Sequence, residues 1–208
     1  MKRLAIAFVC AAASFACSQV KMKVQIGSKN AGTVVITQKV LKDGSKLVQL
    51  AMNLTSPPRT VRTESLYAKD GSPVRKFQET VVIGQRTRHQ VTATFSVSGA
   101  RVVIDINGSR ETKEVELKAG AKLANPSEFW FVREKPKVGA RVQAHTFNLE
   151  QMKWEQVTVT YLGPKEIKIG GAKQTAHLIT SDKGSAYVDS TGQPVRLVLP
   201  GAVMERLK

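Results

Sequence analysis

Residues 101–117, RVVIDINGSRETKEVEL, decide how this chain folds. Val102, Ile104 and Ile106 recur at every second position and lead into Asn107-Gly108, a pair that takes the positive φ angles of a type I′ hairpin turn readily. A second strand returns from 111 to 117. The same two-residue period extends outward along the chain. Met22, Val24 and Ile26 alternate with Lys21, Lys23 and Gln25, and Val48, Leu50, Met52 and Leu54 alternate with polar or small neighbours. Such strands bury one face. Turn signals separate them at Asp43-Gly44, Asp70-Gly71, Ser98-Gly99, Gly170-Gly171, Lys183-Gly184 and Thr191-Gly192. Strand, turn and strand recur about every 10 to 12 residues, which argues for an antiparallel meander over βαβ units.

Strands are expected over 21–27, 33–41, 46–55, 60–68, 73–83, 86–98, 101–106, 111–117, 140–148, 153–162, 166–169, 174–181, 184–189 and 194–199. One segment breaks the period. Asn125-Pro126-Ser127-Glu128 precedes Phe129-Trp130-Phe131-Val132 and is stopped by Lys135-Pro136. Asn125 suits an N-cap, Pro126 the first helical position and Glu128 the acid of a capping box, so the segment reads as a short helix. Three consecutive aromatics cannot all point one way. Phe129, Trp130 and Phe131 are candidates for lining a cavity, with a plain core plug as the other reading.

Near the start, MKRLAIAFVCAAASFAC places two cations ahead of a short apolar run and a small-residue region. This reads as an export signal over 1–16, followed by a single β-rich domain over 17–208. Ala16-Cys17 fits the end of a lipobox, while Ser14 and Phe15 depart from it; lipidation of Cys17 and ordinary secretion both stay open. The expected location is the periplasm or the outer membrane. Cys10 would be lost with the signal, leaving Cys17 without an intrachain disulfide partner.

Setting aside Lys2 and Arg3, 30 of the 32 Lys and Arg remain against 16 Asp and Glu, a net charge of +14. Outside the cytoplasm, a surface this basic would attract an anionic membrane surface or an acidic envelope polymer, and location argues against nucleic acid. Arg86 and Arg88 fall on the same strand face as Gln90, Thr92 and Thr94 and are the candidates for that contact; a merely solvated face is the alternative.

Constellations for chemistry are missing from the sequence. It has no Gly-x-Ser-x-Gly elbow, no His-Glu-x-x-His and no phosphate loop. His89, His145 and His177 fall in different expected strands, where ordinary strand histidines are the simplest reading. The acids sit at turns or among cations. No catalytic residue, metal site or cofactor is expected, and the chain reads as a non-enzyme.

Two stretches echo one another: Tyr67-Ala-Lys-Asp70-Gly71-Ser-Pro73-Val-Arg75 and Tyr187-Val-Asp189-Ser-Thr-Gly192-Gln-Pro194-Val-Arg196. One hairpin solution reached twice explains this without duplication. These hairpins, the aromatic helix before Lys135-Pro136-Lys-Val-Gly139 and the run Gln193-Pro-Val-Arg-Leu-Val-Leu-Pro200 resemble a bacterial exported half-barrel family of unknown function. That group resembles the domain preceding some secreted transglutaminase-like domains and, more distantly, lipoprotein-carrier half-barrels. The resemblance implies a mainly β fold, a strongly curved antiparallel meander forming an open half-barrel, with one short helix across its concave side. It also implies that a concavity of this kind can hold acyl chains.

Two functions follow as expectations. The first is a non-catalytic envelope protein holding a lipid or other apolar ligand in the half-barrel groove. The second is an interaction module docking on anionic lipid or polymer through a basic sheet face. The first requires that inward-facing Val48, Leu50, Met52 and Phe95 leave a groove open.

Overall fold

The computed structural model of the protein describes residues 17–85, 87–118, 121 and 127–207, without the side chains of 127–129. The expected signal (1–16), Arg86 and the cap residues Asn125 and Pro126 lie outside the described residues. Fourteen strands and one helix follow in chain order: β1 (Cys17–Ile26), β2 (Lys29–Val40), β3 (Lys46–Thr55), β4 (Pro58–Tyr67), β5 (Pro73–Val82), β6 (Thr87–Phe95), β7 (Gly99–Ile106), β8 (Ser109–Glu116), α1 (Ser127–Glu134), β9 (Arg141–Asn148), β10 (Lys153–Ile169), β11 (Ala172–Ser181), β12 (Gly184–Val188), β13 (Pro194–Leu199) and β14 (Ala202–Arg206). All strands belong to one antiparallel sheet in the order β8-β7-β6-β5-β4-β3-β2-β1-β14-β13-β12-β11-β10-β9. Sequence neighbours are sheet neighbours throughout, except that β1 also pairs with β14 and β8 does not pair with β9. The sheet is therefore an open meander whose two edges are β8 and β9.

The alternation read from the sequence sets the inner face. Val20, Met22 and Val24 on β1 align with Ile36, Val34 and Gly32 on β2, and these with Leu50, Met52 and Leu54 on β3. Met22 and Val34 are sealed, and the cluster continues to Met204 on β14. Gly32 sits at a register shift opposite Val24/Gln25, at φ +142°; a Cβ there would lie 1.9 Å from the Asn53 carbonyl oxygen, so the close approach of β3 needs glycine.

The two ends of the sheet meet by overlap. Phe147, at the end of β9, is buried among Val91, Ala93, Ala100, Val102 and Ile104 of β6 and β7. Trp154, its partner on β10, donates its indole N–H to the Val115 carbonyl of β8 over 3.3 Å. Phe95 completes the seam, with its ring 5.7 Å from Phe147 and 5.5 Å from Trp154. The end of the β9–β10 hairpin thus lies across the inner face of β6–β8, so the sheet closes by side-chain packing in place of a ladder.

Three expectations change. Gly163-Pro164 reads as a strand end, but β10 runs unbroken from Lys153 to Ile169 because the chain absorbs Gly163, at φ +86°, as a register irregularity. The second half of β10 then reaches past β12: Ile167 and Ile169 pack with Val195 of β13, and Arg196 donates to the Lys168 carbonyl. A fourteenth strand, Ala202–Arg206, follows the Pro200-Gly201 turn and pairs with both β13 and β1. Cys17, expected ahead of the first strand, is its first residue, opposite Lys39. The short helix forms over Ser127–Glu134 and stops at Lys135, which takes φ +44° before Pro136.

Truncating the seam tests its weight. Phe147→Ala should lower unfolding free energy by about 3–5 kcal/mol, the usual range for emptying a buried phenylalanine site. Urea unfolding measures it; a loss below about 1 kcal/mol would mean that the overlap is incidental to the fold.

Candidate functional site

The concave face is apolar on one side and polar beside it. Val48, Leu50 and Met52 on β3 pack against the sealed β1–β2 cluster yet stay half-buried. Their cross-strand partners on β4 are Ser65, Thr63 and Val61, and the next strand, β5, adds Lys76, Gln78 and Thr80 in the same rows. Beyond β5 the face turns apolar again at Ala93 and Val91. A polar stripe therefore runs along β4 and β5 between two hydrophobic clusters.

Lys76 is the charged member of that stripe. Its Nζ reaches the Thr146 hydroxyl and the Phe147 carbonyl of β9, each at 3.4 Å. Those two long contacts are its only hydrogen bonds among the described residues. Burial alone pushes its pKa below the ordinary lysine value, with no carboxylate contributing. The residue keeps partial solvent access although protein atoms crowd its ammonium, as expected of a group inside a concavity and not in a sealed core.

The aromatic helix serves the opposite wall. Phe131 is buried against Tyr161, Ile179 and Val188, with Trp130 packed beside it. Its ring lies 5.3 Å from Tyr161 and 4.8 Å from His177, and the Tyr161 hydroxyl and His177 Nδ1 are 2.8 Å apart. Phe131 is thus a core plug, while the side chain of Phe129 lies outside the described residues. Arg133 anchors the helix to the β4–β5 turn by donating to the Asp70 carbonyl at 2.6 Å.

On the outer face, Arg88 is committed to Glu79, with Nε 2.6 Å from Oε1, and Gln90 donates to the same oxygen. The Arg88 hydrogen bond holds the Glu79 carboxyl below the usual range. Nearby, Arg62 pairs with Glu64, Arg101 with Glu114 and Arg110 with Asp105. This part of the surface is laced with both signs. Arg86 lies outside the described residues. Cys17 is exposed at the start of β1.

Two polar features were not singled out in the sequence. Arg141, Gln143 and His145 on β9, with Gln156 and Thr158 on β10, border a depression of about 640 Å³, and the buried His145 Nδ1 has no hydrogen-bond partner among the described residues. At the β12–β13 turn, Gln193 donates to Ser18 and Gln38 while its side-chain carbonyl oxygen is buried without a donor among the described residues. Alternating polar residues on two facing strands could have flagged the first, but they read equally as a solvated face. His89, His145 and His177 stand on β6, β9 and β11. Among the described residues, no three His, Cys, Asp or Glu come together as a metal site, and no helix is long and apolar enough to cross a membrane.

These features define an open, self-overlapping antiparallel β protein with an amphipathic concave face. No family model and no curated protein matches the chain. Among solved structures it is similar to a β-barrel-like protein of the domain of unknown function DUF1849 from Brucella abortus, at 12% identity and a TM-score of 0.51, over 91% of this chain and 95% of that one. That likeness supports the β-barrel-like fold.

The rim beside this face has a titratable clamp. Asp189 joins the β12–β13 turn to β14 by accepting from Arg206 Nη2 at 2.8 Å, and from Thr191 and Gln193 within the turn. Burial raises its pKa, but the hydrogen bonds from Thr191, Arg206 and Gln193 outweigh it, and the group sits below the ordinary carboxylate value. Its stabilisation is therefore complete above the unfolded pKa, about 3.9, and is lost as pH falls toward the lower folded value. Asp189→Asn should cost about 1–2 kcal/mol near neutrality and flatten the acid limb of stability against pH. Urea unfolding at several pH values would show otherwise if the limb kept its slope.

Proposed function

We propose that the protein is a non-catalytic, exported cell-envelope binding protein whose concave face holds a lipid or other apolar ligand. The supporting observation is the half-buried row Val48, Leu50 and Met52 beside a core whose central members Met22, Val24 and Val34 are sealed. Of the four inward-facing residues that a groove requires to be open, Phe95 is consumed by the seam and these three are not. Large apolar side chains left half-accessible on an inward-curving face gain about 1 kcal/mol each on full burial, part of the value for a fully exposed side chain, which an apolar ligand supplies. The outer face offers less to an anionic surface, because Arg62, Arg88, Arg101 and Arg110 each stand against a carboxylate.

Native mass spectrometry of the protein purified from its own cells, with lipid extraction, should reveal a co-purifying acyl-bearing species. The double variant Leu50→Gln/Met52→Gln should lose it and weaken binding of a neutral fluorescent alkyl probe by about tenfold or more. A clean apo mass, together with probe binding unchanged in the variant, would overturn the reading.

A further inference from the structure

Lys76 on the concave face has no counter-ion among the described residues, and the arrangement says what kind of ligand would complete it. Lys76 projects from β5 onto the inner face, with Ser65 of β4 on one side and Ala93 of β6 on the other. Among the described residues, only the Thr146 hydroxyl and the Phe147 carbonyl are hydrogen-bonded to its ammonium, both at 3.4 Å. An ammonium has three donors and a full charge. Two long bonds to neutral oxygens leave one donor unused and the charge uncompensated.

The structural role of those contacts is visible: Thr146 and Phe147 belong to the edge strand β9, and Lys76 helps tether that edge to β5. A long neutral side chain such as glutamine could tether that edge without the cost of enclosing a charge. Two partly buried ion pairs among the described residues stand in contrast. Asp189 meets Arg206, and Glu205 meets Arg196 with Nη2 2.6 Å from Oε2. Among the described residues, Lys76 has no such partner.

Its position relative to the apolar row completes the case. Lys76, Ser65 and Val48 are successive cross-strand partners, so they lie on one transverse line of the inner face. At about 4.8 Å per strand, Val48 is roughly 10 Å from Lys76 measured along the sheet. Leu50 and Met52 continue from Val48 along β3. A molecule with an acidic end at Lys76 would therefore lay its chain across Ser65 onto Val48, Leu50 and Met52.

We propose that Lys76 is the headgroup site of the concave face, and that the ligand is an anionic amphiphile whose carboxylate or phosphate meets its ammonium. This rests on the apolar-ligand reading of the same face and specifies which apolar ligands are selected. The geometry of Ser65 adds a hydroxyl beside the anion, and a charge-assisted hydrogen bond in a partly desolvated site is stronger than a neutral one.

Three amphiphiles of equal chain length test it: hexadecanol, palmitate and hexadecyl phosphate, measured against the protein at about pH 6, where both acids carry negative charge and an ammonium whose pKa burial lowers is better protonated than at higher pH. The native protein should bind the two anions about tenfold tighter than the alcohol. Lys76→Met and Lys76→Gln should bring the three affinities together without weakening hexadecanol. Because the readout is a ratio within one variant, a general loss of stability does not imitate it, and two substitutions guard against one failing to fold. Equal native affinities for acid and alcohol, or a preference that survives both substitutions, would overturn the Lys76 assignment while leaving the apolar groove standing. Failure of all three to bind would overturn the groove and the assignment together. Inorganic phosphate binding as tightly as hexadecyl phosphate would replace the amphiphile with a small anion. A preference for palmitate over hexadecyl phosphate, or the reverse, identifies the acid.

Discussion

An antiparallel sheet that stops short of closing exposes two rows of backbone donors and acceptors, and everything distinctive here follows from how those edges are handled. Closure by a ladder would join β8 to β9. Instead, the β9–β10 hairpin end lies across the inner face, where Phe147 and Trp154 insert among β6, β7 and β8 residues. Packing replaces pairing. The edge at β9 is further tethered by Lys76, while β8 presents Arg110, Glu111, Lys113, Glu114 and Glu116, the charged composition that discourages strand addition.

That solution has a consequence for the interior. A closed barrel of this many strands would be wide, and its inner face would be filled or watery. Overlap draws the wall inward on one side and leaves the face of β3 to β5 incompletely covered. The helix covers the other part, with Phe131 seated on Tyr161, Ile179 and Val188 and Arg133 tied to the β4–β5 turn. Aromatic plug and seam together occupy Phe95, Phe131, Phe147, Tyr161 and Trp154, while the aliphatic row of β3 stays half-buried.

The fold was legible because its information is local. The alternation at Val102, Ile104 and Ile106 and the Asn107-Gly108 turn specify a hairpin without reference to anything distant, and the structure forms it with Ile106 paired to Ser109. The echo between Tyr67–Arg75 and Tyr187–Arg196 also resolves locally. Ala68 N–H bonds to the Ser72 carbonyl and Asp189 N–H to that of Gln193, closing the same five-residue loop, and Leu41 with Ser45 closes a third. One backbone solution recurs three times, which removes the need for duplication. What remained hidden was non-local or depended on a single residue's conformation. Gly163-Pro164 has the composition of a strand end, yet the glycine's positive φ lets the chain continue. The five-residue β14 lacks enough alternation to be read without its partners β1 and β13.

The candidate site was less legible for the same reason. Lys76 is one of many cations in the sequence, and nothing nearby distinguishes it from Arg75 beside it. Strand parity alone sends Arg75 to the outer face and Lys76 inward, and only the wrap of β9 over β5 encloses the ammonium. The aromatics at 129–131 were conspicuous in sequence, but a short helix packed on a sheet must bury its largest residues to hold its place, and Phe131 does so. Conspicuous apolar residues tend to be spent on stability. An enclosed charge opposes stability, so its retention requires another reason, and on this face the aliphatic row next to it supplies one.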